Sequence, residues 1–461
     1  MMDTATAAEA IAGTLHGRRE WFRGVTTDSR AVAPGDLFVA IKGERFDGHD
    51  YVAQALERGA VAAIVASDRA ATIPGTLLEV DDPLRALGAL ARFWRRSFAI
   101  PVAAIVGSNG KTTAKEMTAA ILRAEFGDAQ VLATPGNLNN AIGLPLTLLR
   151  LSTVHRVAAI EIGMNHPGET AELASIATPT IGLINNAQRE HQEFMASVAD
   201  VAAEHAALLN ALPERGVAVI NADDDYASFW REVIARRNGE GAALTVRDFG
   251  LRANAALTAR YQAESWGARI DVSTPEGNVS IDLKAAGRHN VANALGAIAA
   301  ATAAGAKLPA AAAGLASFRP LAGRLQPRTL PSGATVIDDT YNANPDSVRA
   351  AIAVLARAPP PRWLVLGDMG EVGEQGAEFH REVGAYARAV GVDRLFGVGK
   401  LTEHAVAAFG FGAEHFEDVE TLSDALRLAM TPEVTALVKG SRFMRMERVV
   451  AELSGAAAEV H

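Results

Sequence analysis

Cysteine is absent from the 461 residues, which excludes disulfides and thiolate chemistry and fits a chain that works in a reducing compartment. Long apolar runs are absent too. No stretch approaches the roughly 18 to 20 uncharged residues that a membrane-crossing helix needs. The opening MMDTATAAEA has neither the basic start nor the apolar centre of an export signal. A soluble, unexported, cytoplasmic chain is expected. Positive charge is in deficit: Lys and Arg total 44 against 53 Asp and Glu, a formal net charge of -9. That balance disfavours general nucleic-acid binding, so any phosphate must be met by local basic groups and backbone N–H groups. Lysine is especially scarce. Only seven of the 44 basic residues are lysines, so a lysine set in a glycine loop carries weight.

That lysine lies in the stretch around which the chain is organised, IPVAAIVGSNGKTTAKEMTAAILRAEF, from Ile100 to Phe126. The continuous apolar run Ile100 to Val106 suits a strand covered on both faces, and helical spacing begins after the turn, at Met117, Ile121 and Ala124. Strand, glycine turn and helix form a phosphate-binding arrangement. Gly107 and Gly110 let the backbone point N–H groups at an anion, with Ser108 and Asn109 between them. Lys111 can reach a terminal phosphate, and the Thr112 and Thr113 hydroxyls open the helix, Thr112 being suited to Mg²⁺. The usual Walker spacing would put its first glycine at Ile105, so the loop is a shortened variant. The plainer alternative is an ordinary strand-to-helix turn with a solvent-facing lysine.

At this length typical domain sizes suggest about three domains. Residues 1–98 alternate short strand-like and helical pieces, with Asp28, Ser29, Arg30 and Lys42 at strand ends. Those residues either grip a phosphorylated ligand or serve turn chemistry. Residues 99–323 repeat one theme, an apolar strand ending in polar residues: Glu161, then Asn185, Asn186 and His191, then the carboxylates of NADDD. In an open parallel sheet ligands bind beyond the carboxyl ends of the strands, so these groups are expected on one side with the glycine loop. Period-two alternation from Leu244 to Leu283, with a hairpin at Pro275–Asn278, predicts a β-rich edge. Asn290 and Asn293 share a face near the start of the next helix and either touch a nucleotide or cap it. Residues 324–461 again alternate strands and helices, with strands ending near Asp338, Asp368 and Lys439.

Taken together, GSNGKTT, TPGNLNNAIGLPLTLL, EIGMNHPGE, GRHNVANALGA, DDTYNANPDSVRAA, LGDMGEVG and VKGSR, in this order, resemble the bacterial Mur ligases over nearly the whole chain. The likeness is greatest to the branch that joins D-alanyl-D-alanine to a UDP-N-acetylmuramoyl-tripeptide. The resemblance implies an α/β protein of three domains: an N-terminal UDP-substrate domain (1–98), a central, mostly parallel P-loop-type sheet for ATP and Mg²⁺ (99–323), and a Rossmann-like domain for the dipeptide (324–461). It implies a monomer that activates a peptide carboxylate as an acyl phosphate, which an amine then attacks.

Residue by residue, the resemblance implies that Lys111, Thr112 and Glu161 serve the nucleotide and its Mg²⁺, and that His191 ligates a second ion. Asn139 and Asn140 would lie near the γ-phosphate and acyl group, with Asn140 catalytic. Arg324, Asp338, Tyr341 and Asn342 would meet the nucleotide, Asp338 at the ribose. Asn344 and Asp368 would face substrate, while Lys439 and Arg442 either meet substrate anions or end a solvated strand. Several relatives carry a carbamylated lysine in the central domain, but no lysine occurs between Lys115 and Lys284. His205 stands at the corresponding place, so the expectation is a second metal held by His191 with substrate oxygens, helped by Glu204 or His205.

Other readings are a ligase that adds the third peptide residue, a folylpolyglutamate-synthase-like ligase, a small-molecule kinase, or a nucleotide-gated module without turnover. A DNPR-type motif for a diamino acid is missing, and the loop lysine and metal set argue against lost catalysis.

Overall fold

The computed structural model describes residues 1–455 and builds three large sheets and a two-stranded one along the chain. The first has five strands in the order Thr14–His16, Leu77–Val80, Ala62–Ala66, Asp36–Val39 and Gly24–Thr26, antiparallel only at its first pair. A two-stranded ribbon, Met2–Asp3 with Trp21–Phe22, flanks it.

Nine strands form the central sheet. From one edge they run Val131–Ala133, Val157–Glu161, Val102–Val106, Ile181–Ile184, Val217–Asn221, Thr245–Gly250 and Leu257–Ala263, all parallel. Ala268–Thr274 and Gly277–Leu283 then add two antiparallel strands, the β-rich edge expected from the alternating pattern. The third sheet orders Gln326–Thr329, Thr335–Asp339, Thr435–Lys439, Arg362–Gly367, Arg394–Val398 and Ala413–Phe416, again antiparallel only at the first pair.

The apolar run before the glycine loop is covered on both faces because its alternate residues feed different cores. Val102, Ala104 and Val106 join a cluster with Leu144, Leu148 and Leu173, whereas Ala103 and Ile105 join one with Met117, Ile121 and Leu295. The first of these clusters extends without a break into the N-terminal sheet through Leu37, Ile64, Leu87 and Leu90. The connection is the helix Pro83–Arg96, capped by Asp82, which packs on both units. Its Arg95 is buried and donates to the carbonyls of Phe98, Ile100, Ala177 and Thr178 at 2.5 to 3.3 Å, tying the end of this helix to the crossing segment and to the central domain. Each fully buried Leu of this helix contributes roughly 1.5 to 3 kcal/mol. No helix among the described residues is long and apolar enough to cross a membrane.

Candidate active site

The strand Val102–Val106 gives way at Gly107 to the loop, and the helix Lys111–Phe126 follows without a side-chain cap. Two glycines are required here by geometry. Gly107 (φ +144°) passes so close to Asn185 that an added Cβ would lie 2.9 Å from its side chain. At Gly110 (φ +77°) a Cβ would lie 2.6 Å from Asn293 Oδ1. The first-turn N–H groups of the helix therefore face a cavity of about 1150 Å³ lying beyond the carboxyl ends of the parallel strands. Ser108, Asn109, Gly110, Lys111, Thr112, Thr113, Asn139, Asn140, Glu161 and His191 line it, and from the third sheet's domain so do Arg324, Tyr341, Asn342, Asn344 and Lys439.

Glu161, at the end of the strand Val157–Glu161, is buried. Its Oε1 accepts from Thr112 Oγ1 (3.1 Å) and Asn139 Nδ2 (2.7 Å), while Oε2 has no hydrogen-bond partner among the described residues. An orphaned buried carboxylate oxygen next to a threonine hydroxyl suits a hard cation. The Glu161 backbone N–H donates to Thr134 Oγ1 (2.9 Å), and the Thr134 carbonyl accepts from the fully buried Lys115 (2.7 Å). Thr112 also accepts from Arg324 Nη2 at 2.9 Å, with the Arg324 guanidinium 4.0 Å above the Tyr341 ring. Asn140 Oδ1 accepts from the N–H groups of Ile142 and Gly143, opening the short helix Gly143–Leu148.

A chain of amides fixes the loop from behind. Asn186 Oδ1 accepts from the Asn109 N–H (2.8 Å), and Asn185 Nδ2 bridges the Asn109 carbonyl and Asn293 Oδ1, both at 2.8 Å. Asn293 then donates to Asn290, which donates to the Ala286 carbonyl. Asn290 and Asn293 are thus buried supports of the loop, and both also line the cavity. From the third domain Asn344 exchanges amide hydrogen bonds with Asn109 (2.9 and 3.3 Å) while capping the helix Pro345–Leu355.

Sequence reasoning missed Glu190. It is buried, 3.1 Å from Lys111 Nζ, 3.2 Å from His205 Nε2 and 3.8 Å from His191 Nε2. Burial alone would raise its pKa, but the Lys111 ammonium, His205 and His191 outweigh that and hold the carboxyl at about 2. The other nitrogen of His191 lies 2.6 Å from Glu371 of the third domain. Glu204 is not placed to help a second metal, because its carboxylate accepts from the Gly168 and Thr170 N–H groups at the start of the helix Glu169–Ala177. His205 is buried against Glu190. Among the described residues no three His, Cys, Asp or Glu side chains are grouped to hold a metal unaided, so an ion here would need nucleotide or substrate oxygens.

Several expected residues lie elsewhere. Asp338 points away from the cavity, accepts from Thr340 Oγ1 (2.7 Å) and pairs with Arg328 (3.3 Å). Its neighbour Asp339, on the opposite face of the strand, lines the cavity and pairs with Lys439 (2.7 Å). Lys439 also donates to the Asn342 carbonyl. Asp368 accepts from the Leu401 and Thr402 N–H groups at the start of the helix Thr402–Phe409, a structural role outside the cavity. Arg442 lies 3.6 Å from Glu447, also outside it. In the first domain Asp28 and Arg30 pair with each other at 2.8 Å, Ser29 donates to Gln54, and Lys42 forms a backbone bridge with Asp47; none lines the cavity. Gly107 lies under the loop and does not line it either.

Comparison with known proteins gives matches along almost the whole chain. The family description "Mur ligase family, catalytic domain" fits residues 22–122, "Mur ligase middle domain" fits 105–301, and "Mur ligase, glutamate ligase domain" fits 323–442. The chain is 42% identical over 448 residues to the UDP-N-acetylmuramoyl-tripeptide--D-alanyl-D-alanine ligase of Escherichia coli (strain K12), covering 96% of each. Among solved structures it is similar to a MurF from Acinetobacter baumannii, with a TM-score of 0.89 at 31% identity over 98% of this chain and 99% of that one. It also resembles a MurF ligase from Thermotoga maritima in complex with ADP, with a TM-score of 0.80 at 26% identity over 94% and 97%.

Proposed function

Because the chain belongs to the Mur ligase family, we propose that it is the ATP-dependent ligase that joins D-alanyl-D-alanine to a UDP-N-acetylmuramoyl-tripeptide in peptidoglycan precursor synthesis. The observation that carries this reading is the meeting of three sets of groups at one cavity. These are Lys111 with the glycine loop, the Thr112–Glu161 pair with its orphaned oxygen, and Arg324 on Tyr341 from the domain that follows.

The reaction class demands such a set. A carboxylate oxygen attacks the γ-phosphorus while the bond to ADP breaks. The dipeptide nitrogen then attacks the acyl carbon, phosphate departs, and the nitrogen gives up a proton. Carboxylate and triphosphate repel one another, so positive charge must stand between them. Lys111 supplies one such charge, and Thr112 with Glu161 would hold Mg²⁺. A bound Mg²⁺ would neutralise phosphate oxygens and fix their orientation. Asn139 and Asn140 offer uncharged amides beside that site, so they can donate hydrogen bonds without adding charge. His191 remains the candidate for a second ion, beside Glu190. Arg324 and Tyr341 would form a shelf for the nucleotide, and Asp339, which lines the cavity while pairing with Lys439 and accepting from the Leu325 N–H, would take the place expected of Asp338 near the ribose.

We assign residues 1–98 to the UDP-substrate, 99–323 to ATP and 324–461 to the dipeptide. Within the first of these, Arg30 would exchange Asp28 for the substrate's phosphates. The test is phosphate release from ATP with a UDP-muramoyl-tripeptide and a panel of acceptors. Release that depends on D-alanyl-D-alanine is expected; release with glutamate or single amino acids instead would overturn the assignment.

A further inference from the structure

We propose that Arg189 is a positioning residue that couples docking of the third domain to the placement of Lys111, acting through Glu190 in the strap 189–193; this rests on the ligase reading above. Arg189 belongs to the central domain, yet its partners come from two helices of the third. Its backbone N–H donates to Asp346 Oδ2 (3.0 Å), Nε reaches both Asp346 oxygens (3.1 and 3.2 Å), and Nη2 reaches Asp346 Oδ1 (2.6 Å). Nη1 and Nη2 then take Glu382 at 2.7 and 3.2 Å. Asp346 sits in the first turn of Pro345–Leu355 and Glu382 in the helix Gly376–Ala389, so one guanidinium pins both helices to the central domain. The group also stacks on Phe379, 5.2 Å from the ring centre, and only 23% of the side chain is exposed. Exposed ion pairs contribute little, but a forked, half-buried guanidinium between two carboxylates is the geometry in which such pairs count.

The two residues that follow carry the effect inward. Glu190 is 5% exposed and meets Lys111 Nζ at 3.1 Å. His191 is held 2.6 Å from Glu371, and both residues adopt left-handed backbone, φ +48° and +56°. The Glu193 N–H closes the contact on the Glu371 carbonyl at 3.3 Å. Two non-glycine residues with positive φ meeting across a domain boundary mark a conformation imposed by its surroundings. Those surroundings are the docked third domain. When it departs, Arg189 loses both carboxylates and the turn at His191 loses Glu371; Glu190 keeps Lys111 and His205 as partners, but the backbone on either side of it is released, so the position from which it holds the Lys111 ammonium is no longer set by the third domain. Nucleotide-loop geometry is thereby set by the domain that is proposed to bring the dipeptide.

The test is a double-mutant cycle on the full chain with Arg189→Ala and Glu382→Ala, read by steady-state kinetics. Misplacing a charge in such a site costs about 10- to 100-fold in kcat, and that loss is expected for Arg189→Ala, with the KM for the UDP-substrate within about twofold of wild type. If the two residues act as one unit, the double variant is no slower than Arg189→Ala alone, within about twofold. Arg189→Lys keeps the charge but not the fork, and is expected to fall between wild type and Arg189→Ala. Penalties that multiply, an unchanged kcat, or a loss confined to KM for the UDP-substrate would overturn the proposal. Should Arg189→Ala fail to fold, Arg189→Lys with Glu382→Gln reports the same coupling. If wild type uses an acceptor other than the dipeptide, the functional reading falls and the cycle is run with that acceptor. If wild type behaves as proposed and the penalties multiply, only the coupling falls.

Discussion

Replacing Glu161 by Gln separates the metal role of this carboxylate from its structural one. Oε1 accepts from two donors, Thr112 Oγ1 at 3.1 Å and Asn139 Nδ2 at 2.7 Å, so the oxygen of a glutamine amide placed there keeps both bonds. The amide NH₂ then occupies the place of Oε2, which has no hydrogen-bond partner among the described residues. The variant loses a buried negative charge together with the oxygen that would face Mg²⁺. Without nucleotide its stability should match or exceed wild type, since a buried charge is costly. Losing a charge-assisted ligand costs about 1.5 to 3 kcal/mol, which is roughly a 10- to 150-fold rise in the Mg²⁺ concentration needed for half-maximal turnover. The assay is phosphate release across a Mg²⁺ titration, paired with direct Mn²⁺ binding in the presence of an ATP analogue. An unchanged metal midpoint in both measurements would refute the reasoning. Glu161→Ala is the control, because it orphans Thr112 and Asn139 and should lower stability as well as activity.

Three further outcomes are expected. Gly110→Ala forces a Cβ to within 2.6 Å of Asn293 Oδ1 at φ +77°, so it should cost about 1 to 2 kcal/mol in backbone strain alone and abolish nucleotide binding, measured by thermal melts with and without ATP analogue. Lys111→Ala should abolish turnover while leaving UDP-substrate affinity within about twofold, about 0.4 kcal/mol, since that substrate is assigned to the first domain; calorimetry with the UDP-substrate checks it. Glu190 has a folded pKa of about 2 against an ordinary 4.5. Its contribution to stability is complete above the ordinary value and is lost as pH falls through that range towards the folded one. Urea midpoints of wild type and Glu190→Gln should therefore converge on acidification; a gap that widens would contradict the assigned ion pair.

The architecture could be read from the sequence where one residue pattern admits one structure. The run Ile100 to Val106 followed by Gly107 and Gly110 allows little besides a buried strand and a tight turn into a helix, and the alternation after Leu244 marks antiparallel strands. The site was harder because polar residues at strand ends look alike. Asp338 and Asp339 differ only in which face of the pleat they occupy, and the pairing with Lys439 that selects Asp339 comes from a strand a hundred residues away. Asp368 and Glu204 carry the same carboxylate as Glu161, yet each is consumed by the backbone N–H groups of a helix start. Arg189 and Glu190 lie between Asn186 and His191, which the sequence did mark, but their partners Lys111, Asp346 and Glu382 are distant in sequence, so no local pattern could single them out.

The most direct measurement is a crystal structure of the chain with a non-hydrolysable ATP analogue and Mg²⁺. The triphosphate should lie across the Gly107–Gly110 turn, with its terminal phosphate at Lys111, an ion between Thr112 and Glu161, and the adenosine against Arg324 and Tyr341. A triphosphate bound elsewhere, or an ion that leaves Glu161 Oε2 without a partner, would contradict the account.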